Sequence, residues 1–79
     1  MVHHIYLRVA PRTVAPRPVQ DVVAEWRRKL LGQFPGAYVD IAPTANLIET
    51  RNLLFPPEAD TPEESDEAQR IIEALLPPS

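Results

Sequence analysis

Ten prolines in seventy-nine residues set the limits on what this chain can build. Proline has no backbone N–H and a fixed φ, so it is confined to helix starts, turns and strand edges. Pro11, Pro16 and Pro18 bar regular structure between a first segment and a second. Pro35 follows the second, Pro56-Pro57 close another apolar run, and Pro77-Pro78 stop the last. Each stretch left between them has room for one strand or one helix. The same prolines lower the entropy of the unfolded chain, which helps a thin core. A single domain of this size, residues 1–79, buries only about 60% of the surface its unfolded form exposes.

The segments read clearly in turn. Residues 3–9 alternate, with His3, Ile5, Leu7 and Val9 on one face and His4, Tyr6 and Arg8 on the other. That period of two predicts a strand with one covered side. Pro18 suits the first position of a helix, and Val19, Val22, Val23, Trp26 and Leu30 then form one apolar stripe. Arg27, Arg28 and Lys29 are expected in its last turn, near the negative end of the helix dipole, with Gly32 and Pro35-Gly36 ending it. Residues 38–41 alternate again, residues 42–45 read as a turn, and Asn46–Arg51 is expected as a third strand closing a hairpin. Leu53–Pro57 is excluded as an internal strand by its two prolines, and residues 56–61 read as a loop. The last helix starts best: Thr61 as cap, Pro62 first, Glu64 three residues after the cap. Ala68, Ile71, Ile72 and Leu75 form its buried stripe. The expected fold is α/β: one β-α-β-β-α domain with two helices packed on one face of a three-stranded sheet.

Composition narrows function. With 44% apolar and 24% charged residues the chain is globular, and with no cysteine it has neither a disulfide framework nor a thiolate metal site. Apolar runs are too short for a membrane span, and with a strand pattern from the start no signal peptide is expected. A cytoplasmic location is expected. The net charge of −3 conceals a division. Residues 1–57 carry seven basic and four acidic side chains, residues 58–79 one basic and seven acidic. The acidic end would repel nucleic acid and attract a basic protein surface.

Catalytic constellations are missing. Ser65 and Ser79 are the only serines, and His3 and His4 are adjacent, so no nucleophile–base–orienter set assembles. Neighbours on a strand point to opposite faces, so the two histidines cannot chelate one ion. No cofactor or metal is expected. Arg27-Arg28-Lys29 reads as a solvated helix turn rather than a nucleic-acid contact, because no aromatic residue is interleaved. The last helix is more informative: Glu63, Asp66, Arg70 and Glu73 lie opposite its apolar stripe, with Glu67 at the flank. Leu53, Leu54 and Phe55 either fold back over the core or form a contact patch.

Several strings, in order, resemble the DinI family of small SOS-response proteins. They are Glu25-Trp26-Arg27-Arg28-Lys29-Leu30, Phe34-Pro35, Val39-Asp40-Ile41, Ala45-Asn46-Leu47, and the run from Asp66 to Leu75. The resemblance covers residues 3–52 and resumes at about 61, leaving 53–61 as a loop insertion; the family's acidic, tryptophan-bearing end is replaced by Pro77-Pro78-Ser79. The first-helix string is also similar to part of the porter domain of RND efflux pumps. The DinI resemblance implies a non-enzymatic protein that docks its acidic second helix on the RecA recombinase and modulates its filament and co-protease activity. Carried over by position, the partner-binding residues would be Glu63, Asp66, Glu67, Arg70 and Glu73. Two alternatives stay open: an inhibitor or antirepressor of phage or plasmid type that mimics DNA charge toward another nucleic-acid-binding protein, and a small homodimeric ligand-binding domain. A monomer or weak homodimer is expected.

Overall fold

A computed structural model describes residues 1–46 and 48–76. The elements run β1 (Val2–Val9), α1 (Pro11–Val14), α2 (Val19–Gln33), β2 (Tyr38–Pro43), β3 (Leu53–Leu54), β4 (Glu58–Ala59) and α3 (Pro62–Leu75). The fold is mixed α/β, but among the described residues the sheet has four strands rather than three, and there are three helices. β1 is central. On one side it pairs in parallel with β2, from His4 opposite Tyr38 to Val9 opposite Pro43. On the other side β3 and β4 both pair with it antiparallel, β3 at Leu7 and Arg8 and β4 at Val2 and His4.

The expected β-α-β-β-α order with a hairpin at 42–51 is therefore not what forms. Asn46 turns the chain instead: its side-chain oxygen accepts from the Ile48 N–H at 3.1 Å, and its carbonyl accepts from the Glu49 N–H at 3.1 Å. Asparagine competes with strand pairing in this local way. Among the described residues of 46–51 none is in a strand; Leu47 lies outside them. The connection crosses the end of β1, where Asn52 Oδ1 accepts from the Ala10 N–H at 2.8 Å and from the Thr13 hydroxyl at 2.9 Å. The third place in the sheet is then taken by 53–54 and 58–59, inside the segment read as an insertion. Both run in one direction along β1, with the Phe55 N–H donating to the Tyr6 carbonyl at 3.2 Å and the Asp60 N–H to the Met1 carbonyl at 3.1 Å. Pro56-Pro57 split this edge strand in two, since neither proline can donate to a ladder.

Two helix starts follow from proline chemistry. At α1, Pro11 occupies the first turn, where no N–H is needed, and the Thr13 N–H donates to the Ala10 carbonyl at 2.9 Å. The prolines at 11–18 thus permit one short helix where none was expected. α2 begins at Val19 with Pro18 as its cap, one residue later than read, and it runs through Gly32 to Gln33. Arg27, Arg28 and Lys29 consequently sit before its last turn, which holds no basic residue. The Phe34 N–H closes it on Leu30. α3 keeps its expected start: the Thr61 hydroxyl accepts from the Glu64 N–H at 3.2 Å and donates to the Glu64 carboxylate.

The core lies on one face of β1. Ile5, Leu7 and Val9 meet Val39 and Ile41 from β2, Val22, Trp26 and Leu30 from α2, and Ile72 of α3, all buried. Leu54, opposite Leu7, packs against the same cluster. α3 is tied to the split edge as well, because the Ser65 hydroxyl donates to the Pro57 carbonyl at 2.5 Å. Among the described residues no helix is long and apolar enough to cross a membrane.

Candidate functional site

The helical period gathers Glu63, Asp66, Glu67, Arg70 and Glu73 into an arc of about 120° on α3. All five are exposed, opposite buried Ala68 and Ile72. None of the five takes part in an ion pair among the described residues. The Gln69 amide donates to Glu73 Oε1 at 3.4 Å, a contact that leaves the charge intact. Four carboxylates and one guanidinium thus face solvent from a helix whose first turn adds Glu64. Glu64 itself is engaged elsewhere, by the Thr61 hydroxyl and the Met1 ammonium.

A second acidic group lies at the start of this helix. Asp60 Oδ1 meets His3 Nε2 at 2.5 Å, and Oδ2 meets the Met1 ammonium at 3.1 Å. The hydrogen bond from His3 first, then the ammonium, hold the Asp60 carboxyl below the usual carboxylate range. His3 is thereby occupied as a partner of Asp60. His4 points to the other face of the sheet and stacks on Tyr6, with ring centroids 3.8 Å apart. The two histidines are separated as strand geometry requires, and among the described residues no group of three or more His, Asp or Glu could hold a metal.

That other face is the feature the sequence reading passed over. Among the described residues, α2 and α3 pack on the core face and not on this one. Tyr38 meets His4 edge-on, with centroids 4.7 Å apart. Phe55 follows Leu54, whose side chain is in the core, so strand alternation sets Phe55 beside Tyr6, and it is 44% exposed. Tyr38 is 66% exposed. Arg8 reaches Asp40 at 3.5 Å on this face, and Glu58 lies opposite His4. The Tyr6 phenol is pushed above its ordinary range, by loss of surrounding water and then by the carboxylates of Glu58 and Asp40. His4 Nε2 is buried without a hydrogen-bond partner among the described residues. The strand alternation at 3–9 had already put His4 and Tyr6 together; only the register to β2 and β3 brings Tyr38 and Phe55 beside them.

The basic residues Arg27, Arg28 and Lys29 are exposed on α2, and Glu25 is paired with Arg17, at 3.1 Å. Against protein-family models, curated proteins and solved structures the chain has no match. What it does has to be argued from these surfaces.

Proposed function

We propose that this chain is a non-enzymatic binding module that docks the exposed arc of α3 on a basic protein surface. The observation that carries the reading is the charge of Glu63, Asp66, Glu67 and Glu73 on one solvent-facing arc, in no ion pair among the described residues. Isolated carboxylates of this kind gain little for the fold, since each is left in water and like charges lie four residues apart. A cationic groove would convert that cost into attraction and a fast on-rate. The resemblance of the helices to those of the DinI family makes the RecA filament on single-stranded DNA the first partner to test, with modulation of the SOS response as the role it implies. Arg70, inside the arc, would set the register by meeting one carboxylate of the partner.

Binding of the purified chain to a RecA–single-stranded-DNA filament, measured across a salt series, tests this. Contacts between exposed charges weaken with screening over about 8–10 Å near physiological ionic strength. Binding that falls as salt rises, and is lost in a Glu63→Lys, Asp66→Lys, Glu73→Lys variant with an unchanged melting curve, supports the reading. A triple variant that binds as well as the parent overturns it. Failure to bind RecA at low salt, with binding to another DNA-processing protein that single-stranded DNA competes away, would favour a DNA-mimicking inhibitor.

A further inference from the structure

The two edges of the sheet are not equivalent: Pro56-Pro57 split one into β3 and β4, whereas β2 runs unbroken along the other over Tyr38–Pro43. Among the described residues β2 pairs only with β1. The Thr44 N–H donates to the Val9 carbonyl at 2.9 Å, so even-numbered residues of this segment direct their backbone groups toward β1. Strand alternation then turns the N–H and C=O of Val39 and Ile41, and the C=O of Pro43, away from the sheet. No backbone or side-chain partner meets them among the described residues. Beside this edge runs a groove of ≈ 440 Å³ between β2 and α2, lined by Val19, Val23, Ala24 and Arg27 against Ile41 and Pro43. Arg27 takes part in no ion pair among the described residues.

We propose that this edge and groove take an added β-strand from a partner protein. The strand would be extended and antiparallel to β2, with apolar side chains set against Val19 and Val23 and an acidic one against Arg27. Unpaired donors and acceptors at every second residue select an extended backbone, and the apolar floor selects alternate side chains. A second copy of this chain is a poor occupant, for reasons of register. Symmetric pairing centred on Asp40 sets two Asp40 carboxylates directly opposite, which is destabilising. Pairing centred on Ile41 or Ala42 puts Pro43 where an N–H is required. Pairing centred on Val39 needs the Ala37 N–H, already given to the Phe34 carbonyl at 3.0 Å. The edge is open to another strand and closed to its own. This surface is separate from the arc on α3.

The test uses the whole chain, labelled for amide NMR, and a pool of acetylated, amidated peptides. Their pattern is Thr-Xaa-Thr-Xaa-Thr-Glu-Thr, with Xaa varied among valine, isoleucine, leucine and phenylalanine. Two further pools are N-methylated at alternate residues, one for each parity. The expected result is that the Val39 and Ile41 amides shift and gain protection from hydrogen exchange. One N-methylated pool should fail to bind and the other succeed, because an added strand engages through one edge only. Arg27→Glu should weaken binding about tenfold, with an unchanged melting curve. Equal binding of both methylated pools overturns the proposal, as does saturation without a response at Val39 and Ile41. Protection of those amides that grows with protein concentration, without peptide, would overturn it in favour of a second copy. Loss of RecA binding in the α3 variant leaves these amide readouts unaffected, so the two ideas fail separately.

Discussion

The two faces of the sheet are made from the same eight residues of β1 and treated oppositely by the rest of the chain. Ile5, Leu7 and Val9 are covered by α2 and α3, whereas on the other face His4 meets the rings of Tyr6 and Tyr38, and Arg8 meets Asp40. The covered face is aliphatic apart from Trp26 and the partly buried Phe34, and depends on shape. The open face is aromatic and charged, with rings stacked along the strand and Arg8 paired to Asp40 across it. A sheet with one dry face can keep the other only if the rings and ion pair satisfy one another in water. The contrast teaches where substitutions will be felt.

The largest effect should come from the covered face. Ile5→Ala, which empties a fully buried site, should cost about 2–5 kcal/mol in chemical denaturation. A small domain has little stability to spare, so unfolding at ordinary temperature is the expected result. Tyr6→Ala, one residue along, should lower the melting temperature by distinctly less; an equal drop would break the comparison. Next comes the crossing that carries the chain from β2 to the opposite edge. Asn52→Ala leaves the buried Ala10 N–H without its acceptor and should cost about 1–3 kcal/mol. Hydrogen exchange should then quicken at Phe55 and the β3 amides, on the edge opposite β2, before it quickens in α2.

Smaller effects sharpen the electrostatics. The Tyr6 phenol has its titration raised, so its contribution to stability is whole below the ordinary tyrosine range and is lost as pH rises through the raised value. Ultraviolet titration should show a late-ionising phenol, and Glu58→Gln should bring that ionisation earlier. Asp60 has the opposite sign. Its carboxyl is depressed by His3 and the Met1 ammonium, so the pair contributes above the ordinary carboxylate range and fades as pH falls through the depressed value. The melting difference between the parent and Asp60→Asn should be slight at neutral pH and vanish in acid.

What could be read beforehand was whatever is encoded locally. The alternation at 3–9, the stripe from Val19 to Leu30 and the Thr61-Pro62-Glu64 start each need only neighbouring residues to be recognised. The acidic arc of α3 follows from the same spacing and was read with all five residues. Strand pairing is a long-range property, and there the reading failed. Leu47-Ile48 looked apolar enough for a strand, yet Asn46 captures the following amides in a local turn, and Ile48 is 70% exposed. Pro56-Pro57 exclude an internal strand, and the segment does lie at an outer edge; the loop expected over 53–61 is instead two short strands, because at that edge the prolines interrupt a ladder without abolishing it. Of the two stops expected for α2, Gly32 continues the helix, and Pro35-Gly36 lie in the turn at Phe34–Ala37 that ends it.

The central position of β1 has a consequence for how this molecule comes to be. The first strand in the chain has partners that are all made later: β2 pairs with it from residue 38 on, and its closing partner, Ala59, lies opposite Val2. As the chain leaves the ribosome, β1 must wait, one half of every strand contact, until its complements emerge. Such distant closures lose entropy before any contact rewards them, so a chain of this size should refold slowly for its length. While it waits, β1 holds two unpaired edges and a row of Ile5, Leu7 and Val9, the combination that chaperones bind. The segment most exposed to misassociation during synthesis is thus the one best protected once folding is complete.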